Sequence, residues 1–493
     1  MKDLLQYISE HKNKTPDAIF LSSPYEDISY KKAYKNIDAF AAGLRRMGLI
    51  NNEPIAILGE DINAYILSYY GILKNKNKAV LLPVHLTKST LNTLIKQTDV
   101  NNIVYTEKYR DIILDIEQKR NHQFANKIVV GRDRRADYRF NEIVNNYKSI
   151  NYSSRIDINA DAAILFTSGT TGFPKGVVFS HKNIITNVEN LIESIDYQDR
   201  ISVISSFPIY NYISNILALN TVLIEGGSYI LSREKSSSKL LESITKHKAN
   251  ILIANSYTYH DIFDNVKNTD DLKSLSYCLS IDGSLKKKFI TEWQKRFNCE
   301  ILEGYGLTEA PAVSFNKSNG EAKPKSVGYP LANTRVKIIN ENGADVPDGE
   351  IGELALLQND LLPKYLDSRQ EADTKWFRTG DLFQRDINDY LYFKGRKYDI
   401  ITKYGYKISP GKIKHIIMQH DKIRDVFVLK ITGGKNNQIK LCVVPERDKK
   451  IGKEEIFNYS RENLPRFLYP DFVEFYQELP RNKLGKIKRS DLL

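Results

Sequence analysis

Residues 167–181 read TSGTTGFPKGVVFSH, and their types and order suit the binding of a polyanion. Gly169 and Gly172 let the backbone turn with φ > 0, so that successive N–H groups can converge on one anion. The hydroxyls of Thr167, Ser168, Thr170 and Thr171 add donors, and Lys175 adds a mobile positive charge. The stretch reads as a polyphosphate cradle, yet it has no Gly-x4-Gly-Lys-Ser/Thr register and so is not a Walker A loop. The bland alternative is a surface turn rich in Gly and Thr. The length and order of the string argue against it.

Three further stretches carry chemistry. EGYGLTEA (303–310) offers the flat face of Tyr305, the hydroxyl of Thr308 and the carboxylate of Glu309, while Gly304 and Gly306 keep the backbone clear for a ligand. A carboxylate oxygen beside phosphates suits Mg²⁺. The competing reading is a helix cap, with Thr-Glu opening a helix. FRTGD (377–381) ends in Asp381, whose carboxylate can accept both hydroxyls of a ribose, or can be a turn residue paired with a surface arginine. LPRNKLGKIKRSDLL (479–493) places Lys483, Lys486, Lys488 and Arg489 close together, as a basic surface tail or as the source of an ammonium for the site.

Taken in order, these motifs resemble the adenylate-forming superfamily: acyl- and aryl-CoA ligases, peptide-synthetase adenylation domains and firefly luciferase. The resemblance implies that ATP and an acid's carboxylate form acyl-AMP, and that a thiol then displaces AMP. It implies that Tyr305 stacks on adenine, Thr308 bonds the α-phosphate and Glu309 helps to hold Mg²⁺. Arg396, in GRKYD, would join Asp381 on the ribose, and Gly283 and Ser284 of SIDGSL would flank the adenine. Lys486 falls on the family lysine that enters the site during adenylation, where an ammonium stabilises charge building on carboxylate and phosphoryl oxygens.

The departures from the family pattern concern the second step. The hinge position, usually Asp or Lys, is Tyr398, and Thr402 stands where Lys is common; Gly405 is kept in a segment that lines the thiol's path in relatives. These departures motivate the alternative of a degenerate adenylate-binding sensor or partner subunit. The segment SSFPIYNYISN (205–215) contains no acidic residue to pair with an α-ammonium. Asn211 stands where aryl- and fatty-acid ligases often carry His, flanked by Tyr210 and Tyr212, with Gly304 completing the expected acyl pocket; the two tyrosines could also be core residues. The expected substrate is a small carboxylic acid without an α-amine, aromatic ahead of aliphatic. The expected acceptor is coenzyme A, ahead of the phosphopantetheine of an acidic carrier protein.

The elements that must hold these groups are legible as alternating patterns. Helix-like 31–47, 61–74 and 86–99 alternate with strand-like EPIAILGE, KAVLLPV and NNIVYTE, which indicates α/β architecture with a largely parallel sheet. Residues 131–158 read as a polar connection into the buried strand AAILF before the phosphate loop. After residue 326 the pattern is β-rich (TRVKIIN, ELALLQ), and VFVLKI and QIKLCVV mark a small α+β domain. The expected division is 1–394, binding ATP and acid, and a mobile lid, 395–493. At 493 residues and 41% hydrophobic content, well-formed cores are expected. The net charge of +12 is spread along the chain rather than gathered in a basic arm, so nucleic acid is not an expected partner. Cys278, Cys299 and Cys442 lie far apart in sequence, making a disulfide or zinc framework improbable. With no signal-peptide core and no membrane-span-length apolar run, a cytoplasmic protein is expected.

Overall fold

The computed structural model describes the chain apart from residues 50–51, 61, 120–121, 148–154, 168–172, 196–199, 233–235, 284, 318–321, 358–361, 368–374, 400, 404–405, 409, 433–436 and 483–485. The chain forms two compact units, Met1–Thr334 with Gln358–Thr374, and Arg335–Leu357 with Lys375–Leu493. The expected boundary at 395 falls inside the second unit. The strands Val336–Ile339, Ile351–Leu357, Trp376–Arg385 and Leu391–Arg396 form one antiparallel sheet, which places all four strands with the second unit.

The first unit contains two large sheets. In the 8-stranded sheet, Asp161–Phe166, Lys78–Leu81, Pro54–Leu58, Asn102–Thr106 and Asn126–Val130 run parallel as neighbours. Every residue of Asn102–Thr106 is buried, as a strand covered on both faces requires. The expected helices appear as Tyr30–Arg46, Asn63–Lys74 and Lys88–Gln97. The first is capped by Ser29, whose hydroxyl accepts from the Lys32 N–H at 3.3 Å. The connection from 131 to 158 is more ordered than its polarity suggests: Tyr138–Arg139 adds an edge strand and Phe140–Asn146 a short helix that buries Phe140, Ile143 and Val144. Among the described residues no helix is long and apolar enough to cross a membrane.

In the 9-stranded sheet, Tyr277–Ile281 lies parallel to Glu300–Leu307, with Cys278 opposite Ile301. That register overturns the separation of the cysteines: Cys278 and Cys299 are buried with their Sγ atoms 3.4 Å apart, both as free thiols. Burial pushes the Cys278 thiol well above its usual range, which suits an inert core pair.

The second unit adds the hairpin Ile401–Lys403/Tyr406–Ile408 and a three-stranded sheet of Ile423–Ile431, Gln438–Pro445 and Phe472–Phe475 to its four-stranded sheet. Helices Pro410–Ile417 and Lys453–Asn463 bury Ile413, Ile417 and Ile456 in this unit's core.

EGYGLTEA folds as a hairpin. Glu300–Leu307 returns antiparallel as Ala310–Phe315, and Leu307 pairs with Ala310, so Thr308 and Glu309 form the turn and no helix follows them. A Cβ on Gly306 would stand 2.1 Å from the carbonyl oxygen of Pro311, and one on Gly304 would stand 2.2 Å from the ring of Phe315. The returning strand itself therefore demands these glycines. Pro311, which has no N–H for the ladder, sits where the register shifts. Gly306→Ala is expected to cost roughly 2–3 kcal/mol, because backbone must move. Gly304→Ala should cost less, since a ring can turn; urea midpoints of the two variants check this order.

Candidate active site

In the first unit the phosphate loop joins two antiparallel strands, Asp161–Phe166 and Gly176–Ser180. Its ends close on each other. The Thr167 N–H donates to the Lys175 carbonyl at 3.0 Å, and the Lys175 N–H donates to the Thr167 hydroxyl oxygen at 3.0 Å. Ser168, Gly169, Thr170, Thr171 and Gly172 lie outside the described residues. After the loop, Ser180 and Asn183 form a capping box that opens helix His181–Ile192.

Tyr365 links this loop to the turn at Thr308 and Glu309. It lies on the short strand Lys364–Tyr365, opposite Val177. The Lys175 ammonium stands 5.2 Å from the centre of its ring. Its hydroxyl donates to Glu309 Oε1 at 2.8 Å. Burial, and then the Glu309 charge, push its phenol far above the usual range, so it is a proton donor at neutral pH. Nothing in the local sequence, LLPKYLD, singles this residue out.

The expected adenine loop follows the neighbouring strand. Gly283 has φ 129°, and a Cβ there would stand 2.3 Å from the Ser256 hydroxyl oxygen; Ser284 lies outside the described residues. The next residue, Leu285, donates its N–H to Glu303 Oε1 at 2.9 Å, and the Lys325 N–H approaches Oε2 at 3.4 Å. Glu303 is thus a clasp between two loops and the strand that carries Tyr305. It is only 4% exposed. Burial pushes its carboxyl up to about 7, against the pull of these two N–H groups.

Tyr210, Asn211 and Tyr212 lead into an eight-residue π-helix, Ile213–Asn220, that is buried throughout. Both tyrosines are buried, as core residues would be, yet each hydroxyl has a specific partner. The Tyr212 hydroxyl donates to the Gly306 carbonyl at 2.9 Å, tying this segment to the Thr308–Glu309 hairpin. The Tyr210 hydroxyl lies 3.2 Å from Nδ1 of His85, and the two rings stack. Asn211 accepts the Ile213 N–H on its side chain and the Asn215 N–H on its carbonyl. His85, distant in sequence, was invisible to motif reading.

In the second unit Asp381 and Arg396 face each other across neighbouring strands, with Nε 3.3 Å from Oδ1. Beneath them lies Glu353, 6% exposed, which accepts the Gly380 N–H at 3.1 Å and pairs with the Lys397 ammonium at 2.9 Å. An acid inside the apolar string GELALL is the signal that would have found it. Tyr398 lies in a 3-10 turn, Lys397–Asp399. Its side chain and that of Thr402, and all of Gly405, lie outside the described residues. Lys486 closes a small turn: the Asn482 N–H donates to its carbonyl at 2.8 Å, and its own N–H donates to Asn482 Oδ1 at 3.0 Å.

Two family models and several known proteins match this chain. Residues 8–366 match the AMP-binding enzyme family, and residues 412–486 match the AMP-binding enzyme C-terminal domain. The long-chain-fatty-acid–CoA ligase of Escherichia coli O6:H1 is 23% identical, over 95% of this chain and 90% of its own. The crystal structure of an anthranilate CoA ligase in complex with anthranoyl-AMP superposes with a TM-score of 0.90 at 20% identity, covering 100% of this chain and 96% of that one. A benzoate CoA ligase from Burkholderia xenovorans LB400 superposes with a TM-score of 0.89 at 21% identity, covering 100% of both chains. These structures share the mixed α/β fold.

The Glu303 clasp has a pH signature. The folded carboxyl titrates near 7 and the unfolded one near 4.5, so between those values the folded chain holds a proton that the unfolded chain has lost. Stability contributed by Glu303 is full below the lower value and declines as pH rises through the upper one, by about 3 kcal/mol in all. Glu303→Gln should lack that slope. Urea denaturation of both proteins across this window checks it: parallel stability curves would show that the carboxyl titrates normally.

Proposed function

The chain belongs to the AMP-binding enzyme family, and on that premise we propose that it is an AMP-forming acid–thiol ligase, activating a carboxylic acid as acyl-AMP and passing the acyl group to coenzyme A. The observation that carries this reading is Tyr365, which gathers the phosphate-loop lysine and the Glu309 carboxylate around one ring. Opposite charges held close without direct neutralisation suit a polyphosphate with its cation. The long-chain-fatty-acid–CoA ligase relative supports coenzyme A as the acceptor. An acidic carrier protein would offer the same thiol on a phosphopantetheine arm.

Glu309 fits Mg²⁺: Tyr365 takes Oε1, and no described residue takes Oε2. Among the described residues no group of three or more His, Cys, Asp or Glu could hold a metal, so phosphate and water oxygens would complete the shell. When bound, the cation neutralises phosphate charge. The remaining roles fall to the chain. The 167–175 loop holds the phosphates, Thr308 bonds the α-phosphate and Tyr305 stacks on adenine, with the Gly283–Ser284 loop beside it. Asp381 and Arg396 take the ribose.

A carboxylate oxygen then attacks the α-phosphorus in line, the bond to pyrophosphate breaks, and the Lys486 ammonium stabilises the charge that accumulates. In the second step the thiol sulfur attacks the acyl carbon, AMP departs and the thiol proton is released. We place the mobile lid at 395–493, pivoting at Tyr398, with Gly405 on the thiol's path.

Lys486→Ala should lower acid-dependent ATP–pyrophosphate exchange by at least the ~10²-fold typical of losing one transition-state charge contact. Thioester formation from synthetic acyl-AMP should persist; equal loss in both assays would make the lysine structural.

The acid pocket comprises Tyr210, Asn211, Tyr212 and Gly304. With no carboxylate in residues 205–215, an α-ammonium would be buried at a cost of several kcal/mol. Hydroxybenzoates or long-chain fatty acids should support pyrophosphate exchange and proteinogenic amino acids should not. Exchange with an amino acid alone would refute the assignment.

A further inference from the structure

The four residues Arg396, Lys397, Tyr398 and Asp399 are pinned in two directions. Arg396 pairs with Asp381 and Lys397 with Glu353, both on the strands that precede the hinge. The two carboxylate oxygens of Asp399 instead accept from Nη1 and Nη2 of the Arg489 guanidinium, each at 2.6 Å. Two parallel bonds of this length fix the guanidinium in orientation as well as position, which a single-point ammonium cannot do. The guanidinium also lies over the ring of Phe427, 5.6 Å from its centre. Only two residues separate Arg489 from Lys486 along the chain.

The segment that carries Lys486 is anchored at its other end as well. Arg481 bridges to Ile487 as a β-pair, and the Lys488 N–H donates to the Pro480 carbonyl at 2.8 Å. The Arg481 guanidinium reaches Asp425 at 2.9 Å, and Lys414 reaches the same carboxylate at 2.9 Å. Burial works to raise the Asp425 carboxyl, but these two cations hold it below its usual range, so it stays ionised. The described residues on either side of 483–485 are therefore fastened to the three-stranded sheet through Arg481 and to the hinge through Arg489.

We propose that Arg489 is a positioning residue for Lys486: its two-pronged pair with Asp399 fastens the lysine segment to the residue just after the pivot, so that the ammonium travels with the hinge. This rests on the ligase reading above. The charged residues before Tyr398 belong to one side of the pivot and Asp399 to the other. A rotation at Tyr398 then carries Asp399, Arg489 and Lys486 as one body.

The test uses the full chain. Hydrogen–deuterium exchange of the 479–493 peptides is measured for wild type, Arg489→Ala, Arg489→Lys and the charge swap Asp399→Arg/Arg489→Asp. The alanine variant should exchange about tenfold faster through local opening, the lysine variant less so, and the swap should return toward wild type. With an acid that the wild type activates, Arg489→Ala should lower pyrophosphate-exchange turnover by about 10–100-fold through misplacement. The KM for ATP and the use of synthetic acyl-AMP should be unchanged. Unaltered deuterium uptake overturns the proposal, and so does faster uptake with normal turnover. If the wild type activates no acid, the ligase reading fails, while deuterium uptake and its rescue by the swap still decide the tether.

Discussion

The hydrogen bond from Tyr365 to Glu309 is the contact on which the rest of the first unit's site depends. A carboxylate and an ammonium on separate loops attract each other, and left alone they would pair and close the space between them. Tyr365 keeps them apart while serving both, with the face of its ring toward Lys175 and its hydroxyl toward Glu309. The strand that carries it pairs directly with the strand leaving the phosphate loop, so one run of backbone pairing fixes loop and ring, and the Tyr365 hydroxyl reaches from there to the turn in the other large sheet. The Tyr212 hydroxyl on the Gly306 carbonyl ties the Thr308–Glu309 hairpin to the segment that opens the π-helix.

A second device recurs in both units. Glu303 grips the N–H of Leu285, next to the expected adenine loop, and Glu353 grips the N–H of Gly380, next to Asp381. A carboxylate on backbone N–H groups holds a loop by its main chain and leaves the neighbouring side chains to the ligand. The two differ in company. Glu353 has Lys397 at 2.9 Å and Arg378 at 3.8 Å, whereas no cation is paired with Glu303 among the described residues. Desolvation without a counter-charge is why Glu303 titrates near neutrality.

Much of this was legible in the chain, for identifiable reasons. The LTE turn and Asp381 belong to local strings that lie within one hairpin and one strand, while residues 168–172 of the phosphate loop and 483–485 before Lys486 lie outside the described residues. The alternation of elements in the first half was equally plain, because each strand or helix repeats its own period. What the sequence hid are pairings between distant segments. Tyr365 and His85 act through partners far away in the chain, and Cys278 and Cys299 meet only because two parallel strands share a register. The glycines of EGYGL were read as room for a ligand, but their absent side chains accommodate Pro311 and Phe315, which only the hairpin register reveals. The division of the chain was obscured likewise, since a sheet assembled from strands on both sides of residue 358 has no local signature.

The π-helix Ile213–Asn220 has a consequence for how the segment before it, Tyr210 to Tyr212, can change. A π-helix carries extra residue per turn relative to an α-helix, held in place by its surroundings. Deleting one residue within it would let the remainder settle into α-helical register. Tyr210 to Tyr212, just before it, would then turn around the helix axis by roughly half of the ~100° step of one α-helical residue. The sheets on either side need not move. In this segment, chain length sets side-chain placement separately from side-chain identity, and a single-codon deletion would sample an arrangement that no series of point substitutions at these three positions reaches.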